Sequence, residues 1–179
     1  MTIEAKLTPA DLIEFMKQNA VPGEILHLSA PTPTVESAAQ AVGTKPERIV
    51  KSILFLVNGS PVLSISSGQK VIDRRAIAGL YNVGRKRVKL ADPATVLQIS
   101  GYEVGAMPPF GHLEALPTLL DLHVLDYPIV YAGGGAENAL VRLNPQDILR
   151  VAGAKVTDLH PEPSTGAGGG GPPAAPGRL

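Results

Sequence analysis

The chain has 179 residues, 44% of them hydrophobic and 18% charged, with sixteen Lys and Arg against sixteen Asp and Glu; this is the profile of a globular chain long enough for one core. It contains no cysteine, which excludes disulfides, thiolate nucleophiles and cysteine-ligated zinc. His27, His112, His123 and His160 lie far apart without HExxH spacing, so no metal and no cofactor is expected.

Thr8 followed by Pro9 reads as an N-cap and first helical residue, and a helix with Leu12, Ile13, Phe15 and Met16 on one face is predicted over 8–19. Its sequence is acidic and amphipathic, without the basic and apolar blocks of a leader. No apolar run of eighteen residues occurs either, so a cytoplasmic protein with no membrane partner is expected. After Pro22-Gly23 a strand is predicted over 24–28. Thr34 then caps a second helix that stops at Gly43.

The next stretch, IVKSILFLVNGSPVLSIS over 49–66, reads as two apolar strands joined at Asn58-Gly59, a dipeptide that tolerates the positive φ angles of a tight hairpin. Lys51 sits inside the first strand. Its ammonium either reaches water along an apolar surface covered by its methylene stem, or turns inward toward an anionic partner or a ligand.

Residues 73–81 have a helical pattern with Ile77 and Leu80 on one side and Arg74 and Arg75 on the other, followed by a turn and a basic strand over 85–90. Asp92-Pro93 starts a short helix ending at Gly101. Residues 102–112 are too rich in Gly and Pro for regular structure, and so form a candidate functional loop. Strands are predicted at 118–121, 123–125, 129–132 and 139–143, a helix over 144–151, and a last strand over 155–159. The remainder, 161–179, is dominated by Pro, Gly and Ala and is predicted to be a disordered tail. Residues 1–160 are thus expected to form a single compact α+β domain, with a mixed, largely antiparallel sheet and surrounding short helices.

Charge is unevenly spread. Residues 45–89 carry ten of the sixteen Lys and Arg against only Glu47 and Asp73, and both flanks are acidic. Arg74, Arg75, Arg85, Lys86 and Arg87 therefore form either an ordinary solvated face or a contact for a polyanion.

Familiar catalytic signatures fail. Ser66-Ser67-Gly68 lacks the first glycine of a nucleophile elbow. GLYNVGRK over 79–86 has Arg and Lys where a phosphate loop needs Lys and Ser or Thr. Gly133-Gly134-Gly135 lacks the spacing of a dinucleotide fingerprint. What remains is Lys51-Ser52, the Gly105 to Gly111 loop and the Gly133 triplet, three segments whose glycines would let backbone groups approach a ligand.

TVESAA from Thr34, IVKSI from Ile49, GYEVGAMPPFGH from Gly101 and NPQDIL from Asn144 resemble, in that order, the signatures of the YbaK/prolyl-tRNA-synthetase-associated editing family. The resemblance implies a hydrolase acting on the ester of a mischarged aminoacyl-tRNA, an activity that the family carries free-standing or inserted in a synthetase, with mischarged tRNA as partner, an aminoacyl-tRNA synthetase as a candidate second partner, and no DNA. It implies that Lys51 holds the terminal adenosine and its phosphate, and that Gly105 with Pro109 matches a G-x-x-x-P loop positioning ester and water. Thr34, Ser52, Met107, Pro108, Gly111, His112, Ala132, Gly133, Gly134 and Gly135 are its implied substrate-binding residues. Where cysteine-editing relatives show Lys-Thr and a Ser-Gly-Gly-Arg-Arg run, this chain has Lys51-Ser52 and Ala132 to Ala136, so the amino acid stays open. A module that keeps the fold and binds tRNA or nucleotide without hydrolysis is the alternative.

Overall fold

The computed structural model describes residues 6–161. The Asn58-Gly59 hairpin is its spine: both turn residues have positive φ, 53° and 89°, and they join β2 (Val50–Val57) to β3 (Ser60–Ser67) in antiparallel register from Val57↔Ser60 to Val50↔Ser67. On one side β2 pairs with the short β4 (Val88–Leu90). On the other, β3 pairs in parallel with β5 (Thr118–Asp121), which pairs in parallel with β8 (Lys155–Thr157). The result is a mixed five-stranded sheet in the order β4-β2-β3-β5-β8.

A second, antiparallel sheet places β7 (Ala139–Leu143) between β1 (Glu24–His27) and β6 (Val130–Gly133). A single parallel bridge, Ile49↔Tyr131, ties the two sheets together just before β2 begins. The expected mixed fold is therefore delivered by two sheets rather than one. Leu12, Met16, Leu54, Ile65, Leu120, Val141 and Ile148 are among the residues of the larger core between them. The opposite face of the five-stranded sheet packs Phe55 and Val62 against Ile77 and Ala78 of α3 (Arg74–Tyr81).

Helix starts follow their caps. α2 (Val35–Val42) begins at Thr34, whose hydroxyl accepts from Ser37 N–H at 3.0 Å, and stops at Gly43 with φ 69°. α4 (Pro93–Ser100) and α5 (Pro145–Ala152) open on the Asp92 and Asn144 side chains, each followed by proline at the first helical position. α1 (Pro9–Gln18) opens at Thr8, where Asp11 reaches back to the Thr8 backbone N–H at 2.7 Å.

Two expectations are corrected. Residues 123–125 are not a strand but part of a 3₁₀ turn over Leu122–Asp126. The buried Asp121 carboxylate accepts from His123 N–H at 3.2 Å and Leu159 N–H at 2.8 Å, and so turns the chain immediately after β5. Likewise Arg85–Arg87 form a 3₁₀ turn, and only Val88–Leu90 extend as strand. The turn closes on the Gly84 carbonyl, which accepts from Arg87 N–H at 2.9 Å. The predicted tail falls, apart from Pro161, outside the described residues.

Candidate functional site

β4 covers the outer edge of β2 only from Phe55 to Val57. The chain then departs at Ala91, whose N–H donates to the Leu54 carbonyl at 3.0 Å. At the far end Ile49 meets Tyr131. Between these two closures a stretch of strand edge is left uncovered, and there a cavity of about 430 Å³ opens. Its walls are the edge of β2, the first turn of α2, the loop at 104–107, and the end of β6 with the turn that follows it.

Strand parity decides which backbone groups face this space. A two-residue turn makes Val57 and Ser60 a hydrogen-bonded pair, so odd-numbered residues of β2 turn their N–H and C=O toward β3 and even-numbered ones turn outward. The bonds at the even positions agree, since Asn58 N–H reaches the Arg87 carbonyl at 2.9 Å and the Leu54 carbonyl takes Ala91 N–H. Ser52 is even and lies in the uncovered stretch. Its backbone N–H and C=O therefore point to the cavity, and its Oγ is buried with no hydrogen-bond partner among the described residues.

Lys51, one residue earlier, is exposed and lines the same cavity. Its stem runs over Gly68, where a Cβ would stand 3.5 Å from Lys51 Cε and 2.6 Å from a Val35 methyl. No carboxylate pairs with its ammonium among the described residues. The first of the two sequence-based readings is the one observed: the stem covers apolar surface and the exposed head stands at the cavity rim.

The two glycine-bearing segments meet back to back. Gly105 has φ 88°, and a Cβ there would find nothing within 4 Å, so backbone conformation and not crowding is what calls for glycine. Gly133 is the reverse case. A Cβ on it would clash with the Met107 carbonyl oxygen and stand 2.9 Å from the Ala106 carbonyl. The contact is sealed by Gly135 N–H donating to the Ala106 carbonyl at 2.9 Å, while Gly134 N–H closes its own turn on Ala139 at 2.9 Å.

Of the sequence-predicted residues, Lys51, Ser52, Thr34, Gly105, Met107, Ala132 and Gly133 line the cavity. The Thr34 hydroxyl is already committed to Ser37, so that residue shapes the wall rather than offering a free donor. Pro108, Pro109, Gly111, His112, Gly134 and Gly135 do not line it and form a supporting layer. His112 Nε2 lies 2.8 Å from the Pro108 carbonyl. Because a carbonyl only accepts, the imidazole carries its proton on Nε2. Burial holds His112 below the ordinary histidine value of 6.5, partly offset by that hydrogen bond. Beneath it, Tyr102 is fully buried and edge-on to the ring at 6.2 Å. Burial, reinforced by the Asp11 charge, pushes the Tyr102 phenol up to about 12. Gly111 rests on Phe15, which stacks with Phe110 at 5.5 Å, so α1 backs the loop.

The basic residues lie outside the cavity. Arg74 donates to the Val88 carbonyl at 3.4 Å and sits over the Phe55 ring, and Arg75 pairs with Asp73 at 3.3 Å. Arg85, Lys86 and Arg87 are exposed. Leu90, three residues past Arg87 along β4, is a cavity residue, so the basic turn ends about 10 Å of extended chain from the mouth.

Most of the other lining residues escaped sequence reasoning, Thr32, Leu90, Val104 and Glu137 among them. Leu90 and Val104 are 57% and 60% exposed, and nothing local marks them as neighbours across a mouth. Glu137 follows the glycine triplet closely, and that proximity was the one available signal.

Residues 29–151 match the aminoacyl-tRNA editing domain family. The chain belongs to that family. It is 26% identical over 134 residues to the uncharacterised protein YwhH of Bacillus subtilis (strain 168), covering 74% of this chain and 83% of YwhH. It is also 27% identical over 125 residues to a proline--tRNA ligase of Desulforamulus reducens, a match covering 69% of this chain but 21% of the ligase. Among solved structures, a candidate trans-editing enzyme for prolyl tRNA synthetase superposes with a TM-score of 0.79 at 33% identity, over 84% of this chain and 95% of that one. The hypothetical protein APE2540 gives 0.77 at 30% identity, over 83% and 98%.

Proposed function

We propose that the protein is a trans-acting aminoacyl-tRNA deacylase that hydrolyses the ester of a mischarged tRNA of the tRNA-Pro type. The observation that carries this reading is one cavity bounded by the free Lys51 ammonium, the open Gly105 backbone and the unpaired edge of β2 at Ser52. It offers no cysteine and no cluster of metal-ligating side chains among the described residues. The chemistry assigned to it is positioning and backbone electrostatics, which suit an ester that is already activated.

In this reading Lys51 holds the phosphate of the terminal adenosine, and the loop around Gly105 seats the ester. Water adds to the carbonyl carbon, and the negative charge that develops on the carbonyl oxygen is met by backbone donors, of which Ser52 N–H has no partner among the described residues. The bond from the carbonyl carbon to the ribose oxygen then breaks. That oxygen leaves with the proton given up by water, relayed through the neighbouring ribose hydroxyl. The products are the free amino acid and an uncharged tRNA.

The test is release of amino acid from a panel of mischarged tRNAs by the wild type and Lys51→Ala. Wild-type turnover on at least one member, lost in the variant, is expected. Because Lys51 is exposed and unpaired, the variant should unfold within about 0.5 kcal/mol of the wild type. Tight tRNA binding without turnover on any member would favour the silent binding module, and full turnover by the variant would remove Lys51 from the mechanism.

A further inference from the structure

We infer that Glu137 is the reader of the substrate's α-ammonium group. The inference rests on the deacylase reading and adds the recognition element for the aminoacyl end. Among the described residues, Lys51 and Glu137 are the two charged ones lining the cavity, and the other lining residues are apolar or neutral. A terminal adenosine esterified to an amino acid carries the complementary set, a phosphate at one end and an ammonium at the other.

The placement matches. Glu137 follows the turn that is fastened to the ester-binding loop through Gly135 N–H and the Ala106 carbonyl. Its backbone is held on both sides, because its own carbonyl accepts from Thr32 N–H at 3.3 Å and the Asn138 carbonyl accepts from Leu28 N–H at 2.7 Å. The carboxylate has no ion-pair or hydrogen-bond partner among the described residues. It is a fixed anchor with a free charge, two residues past the Gly135 N–H that fastens this turn to the loop taken as the ester seat. The α-carbon of an aminoacyl ester is bonded directly to the carbonyl carbon, so its ammonium has to sit beside that seat. The Lys51 end, over Gly68 and Val35, is left to the phosphate.

The experiment uses non-hydrolysable 3′-amide analogues, in which alanine is joined to 3′-amino-3′-deoxyadenosine. Four versions carry a free or an acetylated α-amine, each with or without a 5′-phosphate. Calorimetric binding is measured at about pH 6.5, where an ordinary α-amine is charged, for the wild type, Glu137→Gln and Lys51→Ala. Glu137→Gln should weaken the free-amine analogues about tenfold and leave the acetylated ones unchanged, as loss of one charge-assisted hydrogen bond requires. Lys51→Ala should weaken the phosphorylated analogues selectively and keep the preference for the free amine. Equal losses on free and acetylated analogues, no loss on either, or no wild-type preference for the free amine would each overturn the assignment. Turnover on mischarged tRNA with no such preference would overturn Glu137 alone and leave the deacylase reading standing.

Discussion

Gly133→Ala tests whether the two glycine segments work as one wall. The new Cβ would clash with the Met107 carbonyl oxygen and stand 2.9 Å from the Ala106 carbonyl. Neither obstacle is the end of a flexible side chain; both are backbone. Restoring ordinary carbon–oxygen contact means moving the 104–107 loop away from β6 by about 1 Å. That movement would stretch the 2.9 Å bond from Gly135 N–H to the Ala106 carbonyl beyond useful length. Overpacking of this kind costs about 1–3 kcal/mol, a fall in Tm of roughly 2–10 °C for a domain of this size. Activity should suffer more than stability, because a 1 Å error in positioning reacting groups costs on the order of 100-fold. The assay is kcat/KM for deacylation of the best panel substrate, beside urea unfolding of the same preparations. Gly79→Ala is the control: a Cβ there meets nothing within 4 Å, and in the α3 interior it should stabilise by about 0.5–1 kcal/mol without changing turnover. A Gly133→Ala protein with wild-type kcat/KM and wild-type stability would refute the back-to-back arrangement.

The remaining predictions concern charge. The depressed His112 means that the unfolded chain binds a proton the folded chain resists. Stability should therefore fall as pH drops from about 6.5 through the lower folded value, level out below it and stay flat above 6.5; urea unfolding across that range should show the slope reduced in His112→Gln. Asp73 and Asp92 act in a lower window. Their carboxylates are held below 3.8, chiefly by the Arg75 and Thr95 backbone N–H groups respectively, so their contribution is complete above that value and lost as pH falls through the folded ones. On the basic turn, reversing the charge of Arg85 and Arg87 together should lower the magnitude of the log Kd against log salt slope for tRNA by about 2. An unchanged slope would mean that this face is merely solvated.

The helices and most strands were readable because their signals are local. Asp92-Pro93 and Asn144-Pro145 cap and open helices through their own side chains and the next residues' N–H groups, and Asn58-Gly59 needs only its own φ angles. The misread segment at 123–125 shows where such reasoning stops. Its apolar residues suit a strand, but the turn is imposed by the buried Asp121, whose other oxygen is held by Leu159, 38 residues away.

The site divides in the same way. Lys51 was conspicuous as a cation in an apolar strand, and the Gly105 and Gly133 segments as glycine clusters, each a property of a few adjacent residues. That they share a cavity depends on β4 ending at Leu90 and β6 arriving at Ile49, and so on strand lengths and register across two sheets. Glu137 and the outward-facing backbone of Ser52 belong to that second kind of information. A charge or an N–H becomes part of a site through what faces it, and facing is a relation between segments far apart in the chain that only packing creates.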